Sequence, residues 1–161
     1  MPPARRWPER AVASVMQSPG RLSAPHILEY PYRRSVGPVL GRFFTGLRDG
    51  EIWGGRSSDG RLLVPPPEYD PASGEPVSEF ARVADAGSIF SWTWITAPKR
   101  AHPFQRPFAW ALIKLDGADS AFLHAIDVES ASRLRTGLRV RARWRHERVG
   151  DIHDIECFEP V

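Results

Sequence analysis

Four arginines, Arg139, Arg141, Arg143 and Arg145, alternate with Leu138, Val140, Ala142 and Trp144. Alternate residues of a strand share a face, so this spacing lines four guanidinium groups along one side. One reading is an anion track, with bidentate donors for the phosphates of nucleic acid or of coenzyme A. The other is a solvated face. The segment that follows carries Asp151, Asp154, Glu156 and Glu159, which antiparallel pairing would set opposite the arginines. Aromatic rings are also dense: Trp53, Phe90, Trp92, Trp94, Phe104, Phe108, Trp110, Phe122 and Trp144. Rings of this kind stack on bases in domains that bind single strands. Here period-two spacing puts Phe90, Trp92 and Trp94 on one face of a strand and Ile89 and Ile95 on the other. With both faces apolar, core packing or a protein interface fits better than base stacking.

Catalytic constellations are lacking. His26, His102, His124, His146 and His153 are scattered, without an HExxH pattern. Cys157 is the lone cysteine. Its spacing from His153 on a strand is about 13 Å, too long for both to ligate one metal. Neither a GxxxxGK nor a GxGxxG loop is present to cradle phosphates. His124, between Leu123 and Ala125, reads as a barrel residue whose ring nitrogens are satisfied by hydrogen bonds. Nothing nominates a nucleophile or a base.

The elements that position these residues can be read in order. Pro38 suits the first turn of a helix whose apolar stripe is Leu40, Phe43, Phe44 and Leu47, at i, i+3, i+4 and i+7, with Gly50 to close it. That stripe packs either on the domain's own sheet or on another protein. A hairpin follows, Ile52–Gly55 and Arg61–Val64 around Ser57-Ser58-Asp59-Gly60. Pro65, Pro66 and Pro67 stop it, and Tyr69–Gly74 forms a second loop. Glu79–Val83 then leads through Asp85-Ala86-Gly87 into a curved strand, Ser88–Thr96. Phe108–Leu115 and Ala121–Ile126 come next, then one or two helical turns over Ser130–Arg135, and Leu138–Trp144 and Ile152–Phe158 form a last hairpin. Three strands, a short helix and two strands is the order of the OB-fold, a five-stranded Greek-key barrel. The expected fold is therefore mainly β, with residues 1–34 as a flexible arm and lead-in, 35–50 as an N-terminal helix, 51–77 as a ribbon-like hairpin and 78–161 as the barrel.

Bulk properties narrow the partners. The chain has 161 residues and a formal net charge of +3. Residues 1–34 hold six arginines against Glu9 and Glu29, so the remaining residues carry 16 basic and 17 acidic side chains, a net charge of −1. A nearly neutral body argues against nonspecific phosphate binding and makes nucleic acid an unfavoured partner. No apolar run approaches the ~20 residues that cross a bilayer. A single cysteine makes no internal disulfide, and a reducing cytoplasm is the expected location.

Gly50-Glu51-Ile52, Asp59-Gly60, Pro65-Pro66, Asp70–Gly74, Gly87–Thr93, Pro107-Phe108-Ala109, Leu115-Asp116-Gly117 and Gly137-Leu138-Arg139-Val140 occur in one order. Together they resemble the acyl-CoA-associated OB-fold family, domain of unknown function 35, over about residues 35–160. The resemblance implies an N-terminal helix, a rubredoxin-like zinc ribbon and an OB barrel. Its ribbon carries four cysteines, whose positions fall here on Arg56, Asp59, Asp70 and Ser73. Four thiolates are what such a zinc site needs, so a degenerate, metal-free ribbon is expected. The resemblance also implies partnership with thiolases and thiolase-like aldolases, some of which degrade steroid side chains. The chain would then be a non-catalytic accessory subunit in acyl-CoA metabolism. Its expected docking surface is Leu40, Phe43, Phe44, Leu47 and Trp53. Two rival readings stand beside this one: a stand-alone acyl-CoA or lipid binding module using Arg139, Arg141, Arg143 and Arg145, and a single-stranded nucleic-acid-binding OB domain.

Overall fold

Helix α1 spans Gly37–Asp49, with Pro38 in its first turn. Gly50 ends it in the left-handed region at φ 79°, where its N–H donates to the carbonyls of Gly46 and Leu47. Val39, Phe43, Gly46 and Leu47 form its buried face. In this computed structural model, residues 35–161 are described, together with Ala24 and His26. The rest of the expected arm and lead-in lies outside the described residues.

Three strands follow the helix as a small antiparallel sheet: β1 (Ile52–Arg56), β2 (Leu62–Leu63) and β3 (Phe80–Val83), in the order β2-β1-β3. The β1–β2 turn closes as its composition predicts. Gly60 N–H donates to the Ser57 carbonyl at 2.9 Å, with Gly60 at φ 89°. β3 corrects one expectation. Phe80–Val83 does not belong to the first barrel strand but pairs with β1, Ile52 opposite Val83 and Gly55 opposite Phe80. β1 would otherwise be left with an unpaired edge, and β3 covers it.

The remaining strands are β4 (Ala86–Ile95), β5 (Phe108–Leu115), β6 (Phe122–Ile126), β7 (Arg139–Trp144) and β8 (Ile155–Pro160). They close into a barrel in the order β4-β5-β6-β8-β7, with β7 returning to pair with β4. The β6–β8 pair is parallel and the other pairs are antiparallel. This is the OB-fold topology expected from the strand order. Between β6 and β7 the anticipated helix is a single 3₁₀ turn, Ala131–Arg133.

One core runs through barrel, helix and ribbon. Ile89, Ala109, Ala111, Ile113, Val140 and Phe158 from the strands join Phe43 and Leu47 of α1 and Val64 of the ribbon. Phe43 meets Phe122 edge-on, with ring centroids 6.3 Å apart. Polar contacts fix the ribbon to the loop before β6. Asp119 accepts from the Leu62 N–H at 2.8 Å, and Ser120 accepts from the Val64 N–H at 2.6 Å. At the other end, Arg148 donates to the Arg48 carbonyl at 2.9 Å, setting a cation at the C-terminus of α1.

Candidate functional site

The arginine strand is the first candidate, and three of its four side chains already have carboxylate partners. Arg139 forms a two-pronged pair with Asp116, at 2.8 and 2.6 Å. Arg141 approaches Asp85 at 3.9 Å. Arg143 contacts Asp127 at 3.0 Å, Glu156 at 3.1 Å and Glu159 at 2.8 Å. Asp127 also pairs with Arg106, so its carboxylate links two guanidinium groups. Arg145 lies beyond the end of β7, where the register shifts, and its backbone N–H donates to the Asp154 carbonyl. The expected line of four is thus three arginines on the strand and one off it. Of the acidic residues expected opposite them, Glu156 and Glu159 face Arg143. Asp154 turns instead to the backbone N–H groups of Val149, Gly150 and Asp151, at 2.9, 2.7 and 3.0 Å. An anion reaching Arg139 or Arg143 would have to displace carboxylates that neutralise these arginines.

The helix stripe divides. Phe43 and Leu47 are enclosed in the chain's own core, 1% and 0% exposed, so they are removed from any docking surface. The physical reason is the barrel opposite, where Phe122 and its neighbours need an apolar cover. Leu40 and Phe44 remain half-buried, and Phe44 packs against the core from its edge. Trp53 lies across Gly46 of α1, with Arg42 over one region of its ring at 4.3 Å and Arg82 at 5.2 Å. Its Nε1 donates to Glu51 at 3.0 Å. The indole is therefore largely engaged within the chain.

The aromatic strand carries a correction too. β4 has a bulge between Ile89 and Ser91. One extra residue reverses the alternation, so Ile89, Trp92 and Trp94 pack on the core while Phe90 turns outward. Phe90 does not share a face with the two tryptophans.

The bulge creates a feature that sequence spacing did not reveal. Phe90 on β4 is 64% exposed, Leu112 on β5 is 38% exposed and Leu123 on β6 is 58% exposed. Leu112 stands directly opposite Leu123, and opposite Ser91, the residue after Phe90. Three large apolar side chains thus form a row across three adjacent strands on the barrel's outer face. Ser91 and Thr93 on β4 and Lys114 on β5 are exposed around them. Scattered exposed leucines are ordinary, whereas a contiguous apolar row with a polar surround has the composition of an interface. The signal available in the sequence was Leu112 within the alternating run Ala111–Leu115, together with Leu123 beside buried Phe122 and His124. The position of Phe90 depends on a bulge that no local residue pattern marks.

Groups with catalytic potential are quiet. Cys157 is fully buried, and burial pushes its thiol up to about 12, well away from a thiolate at neutral pH. His124 is 7% exposed between the rings of Phe122 and Phe158, at 5.7 and 5.5 Å. Burial lowers its pKa and keeps it neutral, and its Nδ1 has no hydrogen-bond partner among the described residues. His153 pairs with Asp151 at the surface. Recesses of 390, 440 and 440 Å³ among the described residues lie at the ribbon, at the 145–154 loop and at the α1–β1 junction, lined by charged and polar side chains together with Val77, Val149 and Trp53 respectively.

Residues 81–145 match the family described as ChsH2, C-terminal OB-fold domain. Among curated proteins, none matches this sequence. A solved structure similar in fold is that of a protein of unknown function from the DUF35 family of Sulfolobus solfataricus. It is 19% identical, with a TM-score of 0.58, covering 78% of this chain and 85% of that one. Another is described as the Ltp2-ChsH2(DUF35) aldolase, 18% identical with a TM-score of 0.59, covering 80% of this chain and 98% of that one. The resemblance read from the ordered sequence blocks is borne out by these likenesses, and so is the OB-fold.

Proposed function

We propose that this chain is an accessory subunit that docks on a thiolase-like enzyme, a thiolase or a retro-aldolase, through the outer face of β4, β5 and β6. The observation that carries this reading is the exposed row of Phe90, Leu112 and Leu123. Covering them on a partner contributes a fraction of the roughly 1.5–3 kcal/mol of a whole side chain, in proportion to the 64%, 38% and 58% still exposed, or about 1–2 kcal/mol each for Phe90 and Leu123 and less for Leu112. The likeness to a chain of an assembly described as an aldolase supports the kind of partner. A buried thiol, a buried neutral histidine and carboxylate-bound arginines support a non-catalytic role, with the chemistry residing in the partner. The substrates would be acyl-CoA thioesters handled by that partner, in lipid or steroid side-chain breakdown, in the cytoplasm.

The test is a purification of the full chain with a thiolase-like protein from the same host, identified by mass spectrometry. Leu112→Asp with Leu123→Asp is expected to abolish co-elution while leaving the circular dichroism of the chain unchanged. Undiminished co-elution of the double variant would remove the outer face from the reading.

A further inference from the structure

Asp70 lies at the start of the loop that follows the ribbon prolines and is 5% exposed. Its carboxylate accepts four hydrogen bonds. Oδ1 takes the Ser57 hydroxyl at 2.5 Å and the Ala72 N–H at 3.0 Å. Oδ2 takes the Ser58 N–H at 2.8 Å and the Ser73 hydroxyl at 2.9 Å. Ser57 and Ser58 belong to the β1–β2 turn, while Ala72 and Ser73 belong to the Asp70–Gly74 turn, which the Gly74 N–H closes on the Asp70 carbonyl at 2.8 Å. One buried carboxylate therefore joins the two loops of the ribbon at a single point.

A structural zinc does not fit here. Of the four positions where a ribbon of this type holds thiolates, Arg56 offers a guanidinium that donates to the Gly60 carbonyl at 3.1 Å. Asp59 is exposed and paired with Arg61 at 2.7 Å. Ser73 gives its hydroxyl proton to Asp70, and both Asp70 oxygens are occupied. A soft, four-thiolate metal site has no counterpart in this donor set.

We propose that the Asp70 carboxylate stands in for the metal of the ribbon, cross-linking its two loops by charge-assisted hydrogen bonds to Ser57, Ser58, Ala72 and Ser73. A buried carboxylate with four donors is fully satisfied, so the ionised form is favoured over a neutral one. Removing it takes away the one acceptor shared by two hydroxyls and two N–H groups of the two turns, and with it the charge-assisted bonds that tie them together. The ribbon would then assemble independently of zinc supply and of thiol oxidation.

The experiment is amide hydrogen exchange on the full chain, with zinc quantified in the same preparation. Wild-type protein is expected to contain no stoichiometric zinc and to exchange identically with and without EDTA. Asp70→Asn is expected to speed exchange at Ser58 and Ala72 by about ten-fold, the equivalent of one lost hydrogen bond, while Ile113 in the barrel keeps its protection. Asp59→Asn, which alters a former ligand position but supplies none of the four bonds to Asp70, is expected to leave Ser58 and Ala72 unchanged. If Asp70→Asn does not fold, Ser57→Ala removes the shortest of the four bonds and is expected to raise exchange at Ala72. One zinc per chain, EDTA-accelerated exchange in the ribbon, or unaltered protection in the variants would overturn the proposal. None of these outcomes bears on docking at the barrel face.

Discussion

Gly87 has no room for a methyl group. A Cβ there would lie 2.3 Å from the Lys114 carbonyl oxygen and 2.7 Å from the Leu115 Cα, both backbone atoms of the facing strand. Gly87→Ala is therefore expected to cost about 3 kcal/mol, because β4 must move away from β5; urea denaturation would measure it. The sequence suggested a glycine bend at this point, and the structure adds the close approach that requires it. His124 carries a pH prediction. Its pKa is lowered in the folded chain from an ordinary 6.5, chiefly by burial. The unfolded chain therefore binds a proton more readily, and stability declines as pH falls below about 6.5. His124→Phe removes both the proton uptake and the unpartnered Nδ1. Its unfolding midpoint is expected to vary less between pH 7 and 5 than that of the wild type. Carboxylates held below 3.8, Asp70 and Asp116 among them, lose their contribution at lower pH, outside this window. That His124 faces inward was legible from its apolar neighbours. The carboxylates that take up Arg139 and Arg143 were only half legible, because Asp116 and Asp127 come from turns and strands remote in sequence.

The elements show why some boundaries were readable. Helix α1 and the five barrel strands follow from period 3.6, period two and glycine turns, signals that survive in any tertiary context. β3 was misassigned because a four-residue strand next to Asp85-Ala86-Gly87 looks continuous with β4; only the β1 edge decides where it pairs. The bulge at Phe90 escaped for a similar reason, since its cause lies in the neighbouring strand and not in its own residues. The helix stripe offered two readings that the sequence held open, and burial separates them residue by residue. Phe43→Ala is expected to destabilise the chain by about 3–5 kcal/mol in equilibrium unfolding, as a cavity opens against Phe122. Phe44→Ala, at the half-buried edge, should cost distinctly less. Equal losses would mean that α1 sits on the barrel by a different face.

At the scale of the whole molecule, a closed barrel leaves few free strand edges, and the helix and ribbon cover one flank of it through Phe43, Leu47 and Val64. What remains apolar and uncovered on the described strands is the row on β4, β5 and β6. The near-neutral body, already evident from the residue counts, directs attention from phosphate tracks to surfaces of this kind. Among the described residues no helix is long and apolar enough to cross a membrane. The most direct measurement is sedimentation of the full chain mixed with its host's purified thiolase-like or aldolase subunit. The account predicts one heavier species containing both proteins, which separates into its components when Leu112 and Leu123 are both changed to Asp. Two independently sedimenting proteins with the wild-type chain, or a complex indifferent to that double change, would contradict it.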